Sequence, residues 1–552
     1  MILNDGVFGG NVSLLVNGGI PNPGNLTING GMVSPGGDNL YGTIHVGNNL
    51  LFTAGGMLDA EVDSVGNTDS ISTTGTATLT GTLDIQAAVG NFLVGEVITV
   101  LDATGGISGT FTTEIIPSHP NGAPLFEVQY NPTSVDLVVL QDLVFDTAST
   151  EQTISSGNPQ AVVDYLLNQL PVDPTSDLGF VIESLGLVSN DGINKALNFM
   201  HPGSFGLFEW MNLTTNAQIM QIFSQHLARR PDSAPSETIS QLEPSLTAAA
   251  GDRPFYPGAP VRRGCGRDES KHHNVWLQPF GTWNTQSRKG ELRGANYESV
   301  GIMTGYDYLF KNFYVGAGLG YAYTNFRWQG SAGKGHINQV YGGLYGSYFM
   351  KYFAATLSTM VGGNYYNTDR NIRYNAANHP TAHLNRTAHS HNSGIQWTNH
   401  LGLIGDFTPF SVPLQIFGNL DHFYLHNGSF SESGANSINL RVNSKTSNAL
   451  RSELGLSSSY TFQVSGGCWT PYARISWVNK TFLSSSSYSA SFRGQTGTFS
   501  ASASSKGANQ WAPGVGVEFA NMRGFSLLMN TRAELNGKMK NYSADMRMDY
   551  IF

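Results

Sequence analysis

Along residues 1 to 145, apolar and polar positions alternate in pieces of three to five residues, each closed by Gly, Asn or Asp. Examples are Leu26-Thr-Ile28 before Asn29-Gly30-Gly31, Ile44-His-Val46 before Gly47-Asn48-Asn49, Leu58-Asp-Ala60-Glu-Val62, Ala77-Thr-Leu79 and Leu83-Asp-Ile85. A period of two in short pieces with Gly-rich turns predicts many short strands. Stacked as coils, these strands give one continuous inner core, and flat Gly, Asn and Thr turns let neighbouring coils approach closely. A β-sandwich is the alternative packing of the same strands.

The period then changes. Between 146 and 228, Val162, Val163, Leu166, Leu167 and Leu170 follow Asn158-Pro159, which reads as an N-cap and a first helical proline. Phe205, Leu207, Phe208 and Met211, then Ile219, Met220, Ile222, Phe223 and Leu227, continue the three-to-four spacing, so this part is a helical module. Residues 229 to 273 hold six prolines and the pairs Arg229-Arg230 and Arg262-Arg263 among few apolar residues, and read as a linker.

From 274 to 552 the alternation lengthens. Phe313, Val315, Ala317, Leu319, Tyr321 and Tyr323 alternate with small positions, and Tyr542, Ala544, Met546, Met548, Tyr550 and Phe552 alternate with Ser543, Asp545, Arg547 and Asp549. One face suits lipid and the other water. About twelve such segments begin near 274, 296, 313, 338, 352, 392, 412, 447, 467, 508, 524 and 541, joined alternately by short turns and long loops, the latter near 284 to 295, 326 to 337, 366 to 391, 426 to 446 and 481 to 506. In hydrocarbon every backbone group needs a partner, so long one-sided strands predict a closed transmembrane antiparallel barrel with its short turns in the periplasm. A soluble sandwich is the alternative.

Composition supports the all-β reading. Charged residues are 12% of the chain and glycine is 65 of 552, against usual shares of about 25% and about 7%. No run of 18 apolar residues suggests a membrane-crossing helix. Charge divides the chain: residues 1 to 228 hold one basic residue, Lys195, and 21 acidic ones, whereas 229 to 552 hold 29 basic and 18 acidic. The acidic half repels nucleic acid, and the basic half has no Lys/Arg stripe to bind it.

At this point the residues resemble a known family. Leu26-Thr-Ile-Asn-Gly-Gly-Met-Val-Ser-Pro-Gly36, Gly66 through Ile85, and Gly105-Gly-Ile-Ser-Gly-Thr-Phe111 are similar to the end of a pertactin-like autotransporter passenger, and residues 275 to 552 to its translocator barrel. Ala196-Leu-Asn-Phe-Met-His-Pro202 and the helix before Arg229 resemble the junction ahead of the barrel. The resemblance implies a right-handed β-helix passenger remnant, a short α-helical junction and a twelve-stranded barrel. The barrel would be monomeric in outer-membrane lipid and would display the passenger on the cell surface, with no cofactor. A surface adhesin binding host or neighbouring cells is the second reading. Met546, Met548, Tyr550 and Phe552 resemble the signal read by the barrel-assembly machinery, which together with periplasmic chaperones is an implied partner. The resemblance also leaves two segments to thread the pore, either Thr214 to Arg229 or the Pro-rich linker. Met1-Ile-Leu-Asn-Asp5 lacks a basic n-region and an apolar h-region, so an export signal and further passenger are expected from elsewhere in a longer protein.

Chemistry is sparse. No Gly-x-Ser-x-Gly elbow occurs, and His45 and His119 are the histidines ahead of the helices, so no catalytic residues are assigned. Gly316-Ala-Gly-Leu-Gly320 lies inside a strand pattern and reads as room for a segment in the lumen. His379, His383, His389 and His391 cluster in the expected loop before Ile395 and are the only metal candidates, weighed against an ordinary polar loop. Arg474, Arg532, Glu534, Arg547 and Asp549 fall on the polar face and are expected to order a plug or solvate the wall. Two cysteines, Cys265 and Cys468, permit a single bridge between linker and barrel.

Overall fold

A computed structural model of the chain describes residues 1–14, 24–37, 40–64, 66–88, 92–118, 124–140, 154–170, 172, 176–186, 188, 190–227, 272–288, 293–310, 312–350, 353–375, 383–407, 413–484, 487–503, 507–521 and 523–552. The linker from 229 to 271, with Cys265, and His379 lie outside these residues.

The N-terminal stem is a β-solenoid. Its strands stack in parallel, with Leu26 beside Leu50, Leu50 beside Ala77 and Ala77 beside Ile107, a coil of 24 to 30 residues. A second ladder runs Val12, Ile44, Ile71, Leu101. Because side chains alternate in and out, every second residue of a short piece points inward, and Ile28 with Phe52 and Leu79, then Leu58 with Leu83, are fully buried in two columns of one core. Gly81, at φ 79°, shows why the turns need glycine: a Cβ there would sit 2.3 Å from the Gly56 carbonyl oxygen of the coil beneath. The hairpin Phe126–Tyr130 and Ser134–Val139 lies antiparallel on Val97–Ala103 and covers that edge of the stack.

Helices α1 (Asn158–Leu167), α2 (Asp177–Gly186), α3 (Asn190–Leu197) and α4 (Leu207–Leu227) follow. The N-cap of α1 is Gly157 at φ 97°, not Asn158. Asn158 is used otherwise: its Nδ2 donates to the Ser502 carbonyl at 2.8 Å and its Oδ1 accepts from the Ser502 amide at 2.6 Å.

Twelve antiparallel strands form the barrel: β1 (His273–Gln286), β2 (Ala295–Leu309), β3 (Phe313–Trp328), β4 (Gly333–Phe349), β5 (Phe353–Asn375), β6 (His383–Phe407), β7 (Leu414–Asn427), β8 (Lys445–Ser459), β9 (Gly467–Phe482), β10 (Gly507–Asn521), β11 (Phe525–Leu535) and β12 (Met539–Ile551). Each pairs with the next, and β1 pairs with β12 from Asn274 opposite Ile551 to Gln286 opposite Met539, which closes the ring. Leu319, Leu344, Leu357 and Ile395 point outward and are 61–66% exposed, a lipid-facing surface. Polar partners point in.

Three expected loops are different structures. The stretch 366 to 391 is mostly strand, the upper part of the β5–β6 hairpin, which stays paired out to Asn375 opposite His383. The connections after β7 and β9 contribute Phe430–Ser431, Leu440–Val442, Ser487–Phe492 and Phe499–Ser502 to a four-stranded sheet. That sheet and α1 to α3 share one apolar core with the barrel's upper rim, including Val163, Leu166, Phe205, Leu440 and Phe492. Arg370 Nε donates to Glu432 at 2.8 Å, and Arg370 also reaches the Phe199 carbonyl, so a buried cation holds the end of α3. Burial and the neighbouring Arg293 and Arg370 push the His201 imidazole down to about 3, and the neutral Nδ1 accepts the Gly203 amide at 3.0 Å.

Candidate functional site

The barrel lumen is filled by α4. Its 21 residues, at a rise of about 1.5 Å each, span about 32 Å, the thickness of a hydrocarbon core. All but Gln221 and Ser224 are buried. The sequence explains why such a helix seats here: polar and apolar residues alternate around its whole circumference, and each kind meets its match on the wall.

On one side the wall is aromatic. Phe223 lies 4.7 Å from Tyr345 between ring centroids, and His226 lies 4.1 Å from Trp276. Gly318 and Gly343 face them; a Cβ at either would come within 3.0 and 2.8 Å of the Phe223 ring. The expectation that strand glycines make lumen space therefore holds at Gly318. Polar residues of α4 bond around the remaining circumference: Asn212 to Tyr366 at 2.9 Å, Asn216 to Gln396 at 2.8 Å, and Gln218 to Asp545 at 3.2 Å.

The opposite wall is ionic. Glu453 accepts from Arg451 at 2.8 Å, Arg474 at 2.8 Å and Arg532 at 2.9 Å. Glu534 takes Lys480 at 2.6 Å, Arg451 at 3.0 Å and Arg532 at 3.1 Å. Asp421 bridges His400 at 2.5 Å and Arg451 at 3.0 Å. The network touches the plug through Arg532, which donates to Gln221 at 2.9 Å. Arg547 and Asp549 pair separately at 2.9 Å, near the end of the lumen where Asp549 lies 3.9 Å from His226. Sequence reasoning places five of these charges on the polar face and misses Arg451, Glu453, Lys480, Asp421 and His400. Their inward parity on β6 to β9 was the available signal.

The direction of α4 follows from its contacts. Near its start, Glu209 accepts from Ser447, at the long-loop end of β8, at 2.7 Å. Near its finish, Gln225 accepts from Gln278, close to the chain-terminal end of β1, at 2.9 Å. Short turns mark the periplasmic rim, so α4 enters from outside and leaves at the periplasmic side. The choice between pore-threading segments falls on the helix.

The remaining candidates disperse. His383, His389 and His391 lie on β6, not in a loop. Six residues of strand separate His383 from His389 by about 20 Å, too far to share an ion. His389 instead pairs with Asp369 at 2.7 Å, and His391 bonds Asn367. Met546, Met548 and Tyr550 occupy the outward face of β12, and Phe552, one residue past its end, stacks on His273 at 5.6 Å. Cys468 is buried beside the turn before β9, and no described cysteine is free.

Comparison with known proteins bears on this geometry. Residues 275–532 match the family model of the autotransporter beta-domain. An extracellular serine protease of Serratia marcescens is 25% identical over 473 residues, covering 80% of this chain and 42% of that protein. The chain thus spans less than half the length of the curated relatives it matches. Among solved structures, the translocator domain of the autotransporter NalP from Neisseria meningitidis is 15% identical, with a TM-score of 0.40, covering 52% of this chain and 91% of its own. The beta domain of the Bordetella autotransporter BrkA is 18% identical, with a TM-score of 0.37, covering 51% and 100%. The family match begins within β1 and ends within β11, and the barrel it covers carries a helix running inward from the cell exterior. Residues 275–532, just under half of the chain, are therefore an autotransporter beta-domain, the outer-membrane translocator part of such a protein.

Proposed function

We propose that residues 1–145 are the surface-displayed end of the passenger, that 146–228 join it to the barrel, that 229–273 lead back to β1, and that 274–552 anchor and export the whole. The observation that carries this reading is the inward course of α4, which connects an external stem to a periplasmic strand start through the lumen. The translocator is not itself catalytic, and we extend this to the chain as a whole, assigning it no bond chemistry and no cofactor. Met546, Met548, Tyr550 and Phe552 offer the outward aromatic and aliphatic positions by which the barrel-assembly machinery would recognise β12, with periplasmic chaperones delivering the unfolded chain and the folded barrel standing as a monomer. A Cys265–Cys468 bridge would tether the linker at the periplasmic rim, in a compartment that favours oxidation.

Binding of a host or neighbouring-cell ligand by the stem is the second reading, favoured by the long parallel ladder that a solenoid presents to solvent. One experiment addresses anchor and display together. The chain is expressed behind a signal peptide, outer membranes are run with and without boiling, and intact cells are treated with protease. A heat-modifiable barrel with the stem, residues 1 to 145, shaved from outside and the lumen helix α4 protected is the expected result. A soluble, unshifted protein overturns it, and cell binding by the isolated stem would favour the adhesin reading.

A further inference from the structure

The outward face of β2 to β6 carries an ordered polar patch just above an aromatic row. In register, Tyr323, Asn338, Tyr365 and Ser393 form one row across β3 to β6. Two residues further out comes Asn325, His336, Asn367 and His391, and two further again Arg327, Lys334, Asp369 and His389. Tyr323 stacks on His336 at 5.5 Å, which fixes the imidazole at the top of the aromatic row. Rings of this kind mark the interface of a membrane barrel, so the two polar rows stand at the depth of the outer-leaflet headgroups.

The charges in the patch are arranged for an anion. Arg327 and Lys334 are exposed and directly opposite each other on paired strands, a like-charge pairing that costs stability unless something negative lies across it. Asp369 stands opposite Lys334 on that strand's other side and is bonded to His389 at 2.7 Å, so the carboxylate is shared with an imidazole while Arg327 faces none across the pair. Glu298, the other acid of this corner, is opposite Asn325 on the β2 side. Below the patch the same strands form an apolar furrow of about 680 Å³, walled by Leu319, Leu344 and Val361 and floored by Gly342. Six residues of tilted strand carry the chain from His336 down to Gly342, about 15 Å along the membrane normal, the depth of one leaflet's acyl chains.

We propose that this corner of the barrel binds a phosphate-bearing lipid of the outer leaflet, its phosphate across Arg327 and Lys334 and an acyl chain in the furrow over Gly342. His336, His389 and His391 supply further ring N–H donors around the headgroup. Two of the histidines that the sequence suggests as metal ligands, His389 and His391, thereby acquire a common role with His336, because alternation puts both on the outer side of the wall rather than around one point.

The test uses the full chain in phosphatidylcholine nanodiscs, titrated with bisphosphorylated lipid A, with its dephosphorylated form, or with inorganic phosphate, and read by native mass spectrometry. Tight retention of the phosphorylated lipid alone is expected. The double change Arg327→Ala with Lys334→Ala should weaken it about tenfold, as loss of charge-assisted hydrogen bonds would, in a barrel that still shifts on boiling. Gly342→Leu, which fills the furrow from outside, should weaken lipid retention while leaving inorganic phosphate unaffected. Equal retention of the dephosphorylated lipid, or unchanged binding by the double variant, would overturn the proposal. Displacement of the lipid by inorganic phosphate, with Gly342→Leu silent, would replace it with a free-anion site.

Discussion

The stem and the barrel lumen both bury carboxylates, but only the lumen supplies cations to meet them. Asp59, Asp63, Asp69 and Asp136 are buried in a stretch where the first basic residue is Lys195. Glu453, Glu534 and Asp421 are equally buried and stand among Arg451, Arg474, Arg532 and Lys480. The lopsided charge of the sequence is therefore not a matter of surface solubility alone. In a solenoid the interior is hydrocarbon and acids are tolerated where backbone amides hold them, whereas a barrel interior is polar by construction and ions there must compensate one another.

The strongest way to break the lumen's side of this balance is Glu453→Ala. It leaves Arg451, Arg474 and Arg532 without their shared acceptor, and removing one partner from a buried ionic network costs about 3–5 kcal/mol. We expect a lower urea midpoint for the detergent-solubilised barrel and easier loss of the heat-modifiable form. Removal of a stem acid such as Asp136, which accepts from Thr99 and Asn131 at 2.7 Å each, should leave the barrel midpoint unchanged.

A cation that stabilises the lumen is rejected one residue away on the outer face. Leu357 on β5 is 64% exposed toward lipid, and arginine there should cost about 2–4 kcal/mol, the usual penalty near the bilayer midplane. Leu51, on the stem's outer surface, accepts the same change within about 0.5 kcal/mol. Folding titrations in vesicles for the first and thermal melts for the second check the contrast; equal effects would mean that β5 does not face lipid.

Asp69 sharpens the stem's side. Burial, with Glu61 and Asp59 nearby, raises its carboxyl to about 7 against the Gly42 and Glu61 amides that favour the anion. Between about pH 4 and 7 the folded stem then holds a proton that the unfolded chain has released, so stability falls as pH rises across that window and levels off above it. A drop on the order of 2 kcal/mol in the stem's unfolding free energy is expected, abolished by Asp69→Asn. A flat profile in the unmodified chain would refute it.

How much of this was legible depended on whether pattern or pairing carried it. Period-two alternation gave twelve strands and the outward run Met546 to Phe552, because parity alone decides the face. Glycine and asparagine at short intervals gave the coils. The four-stranded sheet above the barrel was not legible, since Phe430, Leu440, Tyr488 and Phe499 lie in short pieces amid serine and asparagine and find partners only across two separate connections. The upper β5–β6 hairpin was missed for a related reason: His389, His391 and Asn367 are polar on a face that has risen above the hydrocarbon to headgroup depth, so apolar alternation ends before the strand does. The lumen helix lacks an apolar stripe because the wall opposite it is mixed, and its site emerges only when Gln221 is set against Arg532 and Phe223 against Tyr345.

The junction lies between the two regimes, and the smallest effect is expected there. Asp177 begins α2 and meets Arg386 of β6 at 2.6 Å, while Ser437 donates its amide at 2.9 Å. Partial burial opposes ionisation of this carboxyl, but Arg386 and Ser437 outweigh it and hold the group down at about 2. The unfolded chain binds the proton first, so the contribution is complete above about pH 4 and is lost as pH falls toward 2, opposite in sign to Asp69. With a third of the side chain in solvent the pair contributes under about 1 kcal/mol. Protection of the Ser437 amide, its exchange rate taken relative to the intrinsic rate at each pH, should fall with acid in the unmodified chain and be already low and independent of pH in Asp177→Asn. An acid response that persists in that variant would move the switch to Arg370 and Glu432, whose buried pairing holds the other side of the same cap.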